Sequence, residues 1–146
     1  MANVHTSIDI AASVHRVWEL VTDLERLGEW VSIHRDFPKP PPAEVKQGTS
    51  FQQTLAVAGG PFEVEWVAVE VDGPQRLTWE GIGPAGASAR TTYSLAAQNG
   101  GTRFQYENEF TFPAGEVGKL ASGVVTGHAE REAKDSLTRL KHLAEG

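Results

Sequence analysis

Alternating apolar and polar positions open the chain, and a longer period follows them. In residues 4 to 10, VHTSIDI, apolar or β-branched side chains occupy every second position, which predicts a half-buried strand. After Ser13, a suitable N-cap, the apolar period changes to three and four. This spacing predicts a short amphipathic helix that carries Val14, Val17, Trp18 and Val21.

A second short helix is predicted between Asp23, as its N-cap, and the proline cluster at residues 38 to 42. The residue before a proline is disfavoured in the helical conformation, so the prolines end this helix. Leu24, Leu27 and Trp30 form its apolar face. Trp30 and His34 are therefore expected at the helix exit.

Residues 47 to 112 change to short runs of β-forming residues separated by turn signals. The turn signals are AGGP at 58 to 61, DGPQ at 72 to 75, GPAG at 83 to 86 and QNGG at 98 to 101. Five strands joined by four short turns predict an antiparallel meander.

Two hairpin turns predict which side chains share a face of this sheet. A two-residue turn at Asn99-Gly100 pairs Leu95 with Phe104, Tyr93 with Tyr106 and Thr91 with Asn108. The same treatment of Gly59-Gly60 pairs Val57 with Phe62, Leu55 with Val64 and Gln53 with Trp66. Both hairpins give one largely apolar face, which comprises Phe51, Gln53, Leu55, Phe62, Val64, Trp66, Tyr93, Tyr106, Asn108 and Phe110.

Residues 114 to 145 predict one long helix, rich in Ala, Leu, Glu, Lys and Arg. Its apolar stripe runs through Leu120, Val124, Ala129, Ala133, Leu137 and Leu140. Gly118, Gly123 and Gly127 interrupt the first half, each at a cost of about 1 kcal/mol relative to alanine. Close approach of a strand or ligand, or a kink that opens a cavity, would offset this cost.

Composition narrows the function classes. The chain has 146 residues, which predicts one domain over 1–146, and its net charge of −6 argues against a nucleic-acid partner. No segment approaches the roughly 20 apolar residues of a membrane span. The absence of cysteine favours a reducing, cytoplasmic location. The five histidines lack metal-site spacing, and neither a GxSxG motif nor a phosphate-binding loop is present, so we expect no metal, no cofactor and no hydrolase chemistry.

The order of these elements resembles the α+β helix-grip fold of the START-like (SRPBCC) superfamily. Four sequence segments also resemble its bacterial polyketide cyclase/dehydratase-like branch. They are IDIAASVHRVWELVTDLERLGEW, VEVDGPQRLTWE, GGTRFQYENEF and SLTRLKHLAEG. The resemblance covers nearly the whole chain. It implies a curved sheet wrapped around the long helix, with an internal cavity for a hydrophobic small molecule and two short helices at one end.

The resemblance also suggests where a ligand would bind. Trp30 and His34 would lie at the cavity mouth, and the shared strand face would line the interior together with Leu120, Val124 and His128. Trp66 and Tyr106 match positions at which similar aromatase/cyclases carry pocket tryptophans. One alternative is that the aromatic face belongs to a completely filled core. Another is that Trp30 caps the small helices and His34 lies in solvent.

Four residues are candidate catalytic groups. Continuing the alternation from Trp66 places Glu70 on the inner face, and the helical spacing places His128 beside the inward stripe, with Glu132 one turn further. A histidine there could act as a general acid or base. His34 and Tyr106 are the other two. Simple structural roles, a solvated edge histidine and a cross-strand aromatic pair, are the competing interpretations.

Three function classes remain open. The first is a non-catalytic protein that binds a hydrophobic, aromatic or polyketide-like molecule. The second is a polyketide cyclase, aromatase or dehydratase; related cyclases carry arginines on the third and fourth strands, but residues 62 to 71 and 77 to 82 contain none, and only Arg90 or Arg131 could substitute. The third is an interaction module similar to the co-chaperone members of the superfamily.

Overall fold

The computed structural model describes residues 2–57, 60–111 and 116–146, without the side chains of residue 2 and residues 116–126. The strands are β1 (Ala2–Ile10), β2 (His34–Asp36), β3 (Ser50–Val57), β4 (Gly60–Asp72), β5 (Arg76–Ile82), β6 (Ser88–Gln98) and β7 (Gly101–Thr111). The helices are α1 (Val14–Thr22), α2 (Glu116–Glu145) and two 3-10 helices, Leu24–Glu29 and Pro84–Gly86.

The seven strands form one antiparallel sheet in the order β1-β7-β6-β5-β4-β3-β2. The curled sheet wraps around the long C-terminal helix α2, which packs against β1 at one sheet edge. The predicted α+β helix-grip fold is confirmed.

The N-terminal elements follow the predicted pattern. Val4 and Ile10 on β1 are each 2% exposed, and β1 pairs with β7 along its whole length. The Ser13 hydroxyl accepts a hydrogen bond from the backbone N–H of Arg16 at 3.1 Å, so Ser13 caps α1 as expected.

The region after α1 differs from the prediction in two ways. The second helix is a 3-10 helix that ends at Glu29, and the side chain of Asp23 makes no capping hydrogen bond. His34 lies on a short edge strand, β2, opposite Leu55 of β3, rather than at a helix exit. A three-residue strand is too short to show a period of two, so only its pairing with β3 reveals it.

The hairpin predictions have different outcomes. All three predicted pairs of the β6–β7 hairpin are confirmed. The β3–β4 register is wrong by two residues, because Val57 pairs with Gly60, Leu55 with Phe62 and Gln53 with Val64. Moving a two-residue turn by one position shifts every partner by two. The predicted faces are therefore correct although the pairs are not.

A β-bulge in β4 overturns the predicted position of Glu70. Ala68 pairs with Trp79, but the next pair is Glu70 with Thr78, so Val69 is an extra residue. The extra residue reverses the alternation, and Glu70 lies on the outer face of the sheet. There its carboxylate accepts hydrogen bonds from Arg76 Nε at 3.0 Å and Thr78 Oγ1 at 3.2 Å.

The C-terminal half of α2 buries the predicted stripe. Ala133, Leu137 and Leu140 are 7%, 2% and 0% exposed, whereas Leu120 and Val124 lie outside the described side chains. A Cβ built on Gly127 would meet no atom within 4 Å. Close packing therefore does not explain this glycine, and Gly118 and Gly123 are outside the described side chains.

Candidate functional site

A cavity of about 200 Å³ lies between the inner face of the sheet and α2. Every residue of the predicted inner face lines it, together with Trp30 and His128. Leu120 and Val124 fall outside the described side chains, and His34 is not part of the lining. The interior is therefore not completely filled, while the binding role of these residues stays a prediction.

Several lining residues were missed by the sequence analysis. The 3-10 helix and the segment after it contribute apolar side chains, β5 contributes Trp79 and Gly81, and α2 contributes polar groups. Inward parity along β5 could have identified Trp79, but the loop residues carry no periodic signal. The missed residues include Leu24, Leu27, Val31, Ile33, Trp79, Gly81, Ala133 and Ser136.

A hydrogen-bonded chain leads from the cavity to the sheet edge. Trp66 Nε1 donates to Gln53 Oε1 at 2.9 Å, and Gln53 Nε2 lies 2.9 Å from His34 Nδ1. An indole N–H can only donate, so the amide oxygen accepts and the amide nitrogen donates to His34. The His34 ring is then neutral, with its proton on Nε2. Burial lowers the pKa of His34, against an opposing effect of Asp36, which favours the same state.

The second polar group of the cavity wall belongs to the β6–β7 hairpin. Tyr93 and Tyr106 are stacked with ring centroids 6.1 Å apart, as the cross-strand interpretation expected. Burial raises the pKa of Tyr106 to about 12, although a hydrogen bond with Asn108 opposes the shift. Burial and the neighbouring Tyr106 likewise raise the pKa of Tyr93. Both hydroxyls stay protonated at neutral pH and can donate hydrogen bonds.

Trp30 is only 2% exposed and forms part of the wall. Its ring packs edge-on against Tyr93 with centroids 5.8 Å apart. Among the described side chains, its Nε1 is the buried polar atom that lacks a hydrogen-bond partner. Trp30 thus lies in the cavity wall and is also the C-cap residue of the 3-10 helix, where its backbone N–H donates to the Leu27 carbonyl. Its contact with a ligand stays a prediction.

A third polar group joins the segment after the 3-10 helix to α2. The backbone N–H of Ser32 donates to Ser136 Oγ at 2.9 Å, and Ser136 Oγ donates to Ser32 Oγ at 3.2 Å. Ser32 Oγ donates in turn to Oε2 of the Glu132 carboxylate. His128 Nε2 lies 3.8 Å from Oε1 of the same carboxylate. Glu132, Ser136 and His128 all line the cavity.

The two arginines that could replace those of the cyclases are not in the cavity. Arg90 pairs with Glu80 on the outer face of the sheet, and Arg131 is exposed on α2. Within the part of the chain that the structure describes, no arginine lines the cavity. The outward Glu70 likewise contributes no carboxylate to it.

Two further properties concern ions and membranes. The described residues contain no group of three or more His, Cys, Asp or Glu side chains arranged to hold a metal ion. Among the described helices, none combines the length and the apolar character of a bilayer span.

Known proteins resemble this chain along most of its length. "Uncharacterized protein Rv1546" of Mycobacterium tuberculosis is 27% identical over 136 residues, which cover 92% of this chain and 95% of the relative. "Toxin Rv0910" of the same organism is 24% identical over 140 residues, covering 94% and 97%. The crystal structure of TTHA0849 from Thermus thermophilus is 18% identical, covers 97% of this chain and 96% of its own, and superposes with a TM-score of 0.78, which supports the fold alone.

The family comparison agrees with the fold and with the resemblance seen in the sequence. The model of the family described as "Polyketide cyclase / dehydrase and lipid transport" matches residues 1–145. The chain therefore belongs to this polyketide cyclase-like family of the SRPBCC type.

Proposed function

We propose that this protein binds a hydrophobic small molecule, aromatic or polyketide-like, in the cavity between the sheet and α2. The observation that carries the proposal is the cavity itself, about 200 Å³ in volume and lined by aromatic and aliphatic side chains. A cavity of about 150 Å³ lined by apolar residues is large enough for benzene, so this one suits a guest of one or two rings.

Binding without catalysis is favoured over cyclase chemistry by the polar groups of the wall. Ketone polarisation and enolate stabilisation need cationic or strongly donating groups at the reacting oxygen. Arginines are absent from the described lining, and Gln53 is already committed to Trp66 and His34. The other described donors of the wall include the tyrosine hydroxyls, Trp30 Nε1 and His128, none of which is a permanent cation like arginine, although each can orient a ligand oxygen.

The experiment is a calorimetric titration with β-methylnaphthalene, an apolar probe of matching size, using wild type and Val64→Trp. Val64 lies on the wall and is 7% exposed, so the larger ring fills the cavity. We expect saturable binding to wild type and none to Val64→Trp, with circular dichroism confirming that the variant is folded. Absence of saturable binding to wild type, or unchanged binding to a folded Val64→Trp, would overturn the proposal.

Incubation with a linear poly-ketone, followed by mass spectrometry, distinguishes the enzyme. If the poly-ketone loses water or forms a new ring faster with the protein than in buffer alone, the protein is an enzyme and not only a binding protein.

A further inference from the structure

The polar side chains of the cavity wall are mostly paired with one another, and among the described residues Trp30 Nε1 is left as an unpaired donor and one Glu132 oxygen as an unpaired acceptor. Gln53 bonds to Trp66 and His34, and Thr91 Oγ1 donates to Asn108 Oδ1 at 3.1 Å. These groups have satisfied their main hydrogen-bonding capacity within the protein. Glu132 is different, because among the described residues only one of its two carboxylate oxygens has a hydrogen-bond donor.

The direction of the hydrogen bonds around Glu132 is fixed by chemistry. A backbone N–H can only donate, so Ser32 N–H supplies Ser136 Oγ, whose own proton goes to Ser32 Oγ. The Ser32 hydroxyl proton is then available to Glu132 Oε2. The same hydroxyl also lies 3.2 Å from the Glu132 backbone carbonyl, so Ser32 contacts both the main chain and the carboxylate of Glu132 and restricts the orientation of the side chain.

The second oxygen, Oε1, remains an open acceptor. Its nearest described donor is His128 Nε2 at 3.8 Å, which is too long for a hydrogen bond. The Glu132 side chain is 30% exposed and the His128 side chain 48%, so both stand where the cavity meets solvent. Glu132 is thus a fixed anionic acceptor at the polar end of an otherwise apolar cavity.

We propose that Glu132 selects a ligand whose apolar body ends in a hydroxyl or other hydrogen-bond donor, which Oε1 accepts at the cavity mouth. This inference rests on the proposed binding function and gives it a ligand class. A ligand that ends in a carboxylate is excluded, because two anions would meet in a partly desolvated site. His128 flanks the same position and can offer a hydrogen bond to the ligand oxygen.

Three ligands with one aromatic body test the proposal: β-naphthylmethanol, β-methylnaphthalene and β-naphthoate, titrated calorimetrically into wild type, Glu132→Gln and Glu130→Gln. Glu130 lies two residues earlier on the same helix, is exposed, and is not part of the lining. Its substitution removes the same charge from the same turn, so it is a matched control.

In wild type we expect the alcohol to bind roughly tenfold more tightly than the methyl compound, and the carboxylate to bind most weakly. Glu132→Gln should bring the alcohol and methyl compound within about twofold and improve naphthoate binding. Glu130→Gln should keep the wild-type order. Thermal melts establish that both variants are folded, and the wild-type order is informative without any variant.

The outcomes separate the two proposals. Equal binding of the alcohol and the methyl compound to wild type overturns the role of Glu132 but leaves the binding function intact. An unchanged preference in folded Glu132→Gln, or the same loss in Glu130→Gln, also overturns it. Failure of all three ligands to bind overturns both.

Discussion

The two ends of the sheet are built from the same elements and filled differently. At one end, Leu20 of α1 packs into a core with Leu77, Phe104 and Leu140, each at most 1% exposed. At the other end, Phe62, Trp66 and Tyr106 remain partly exposed around the cavity. None of the α1 residues lines that cavity. The packed end is thus filled by side chains of α1, whereas the described side chains at the hollow end leave a cavity between them.

The same comparison explains where the polar side chains lie. The core of the packed end is almost entirely hydrocarbon, which needs no hydrogen-bond partner. The hollow end places Gln53, Tyr106 and Glu132 on its wall, and most of their polar atoms bond to neighbouring side chains. We therefore expect stability to depend mainly on the first end and the proposed ligand binding on the second.

The largest difference between the ends should appear on removing one ring from each. Phe104 is fully buried, so Phe104→Ala should lower the free energy of unfolding by about 3–5 kcal/mol. Phe62→Ala at the hollow end should cost about 1 kcal/mol, because its ring already borders empty space. Urea unfolding measures both. Equal losses would show that the two ends are packed alike.

A substitution at Gly81 tests whether the side chains around Trp66 at the hollow end are closely packed. A Cβ at Gly81 would lie 2.7 Å from Trp66 Cε3 and 2.8 Å from Val64 Cγ1. Gly81→Ala must displace the Trp66 ring and its bond to Gln53, and should cost about 1–3 kcal/mol in urea unfolding. Gly60→Ala is the control, since a Cβ there meets no atom within 4 Å. If both variants behave alike, the contact between Gly81 and Trp66 is not important for packing.

Substitutions at Ser13 measure how much the N-cap of α1 contributes to the stability of the packed end. Ser13→Ala removes the acceptor for the Arg16 N–H and should lower the free energy of unfolding by about 1 kcal/mol. Ser13→Asp retains a capping oxygen and should stay close to wild type in the same denaturation assay. A loss of similar size in Ser13→Asp would show that the cap does not depend on the side-chain oxygen.

The smallest effect concerns pH at the hollow end. Burial lowers the pKa of His34 from its usual 6.5, so the unfolded chain binds the proton more readily than the folded one. The contribution of His34 is complete above pH 6.5 and is lost as the pH falls toward the folded-state pKa. Unfolding free energies at about pH 7.5 and 5.5 should therefore decrease more for wild type than for His34→Gln. An identical decrease would show that His34 does not contribute.

Most of the fold was predictable, because it depends on patterns that the sequence displays directly. The alternation in β1, the Ser13 cap, the five-strand meander and the buried stripe of α2 all follow local periods and turn chemistry. The residues of the inner face were predicted correctly despite the register error at the β3–β4 turn, because a shift of two residues leaves each side chain on the same face. The helix-grip resemblance then supplied the arrangement of these elements.

The candidate site was predictable only in part, because its details depend on contacts between distant segments. The aromatic wall followed from strand parity. The position of His34 depends on a three-residue strand that exists only through its pairing with β3. The proposed role of Glu132 depends on a hydrogen bond with Ser32, 100 residues away in sequence. Neither pairing leaves a periodic signal that a single sequence could show.

The bulge at Val69 also has a consequence for the shape of the molecule. A supernumerary residue bends its strand and increases the local twist, so one position in β4 adds to the curl that brings the sheet around the helix. Deleting Val69 would leave Ala68, Glu70 and Val71 on their present sides while removing the bend. The sheet would then keep the same inner and outer faces but curve less around α2. The presence of this one residue therefore influences how closely the sheet encloses the helix.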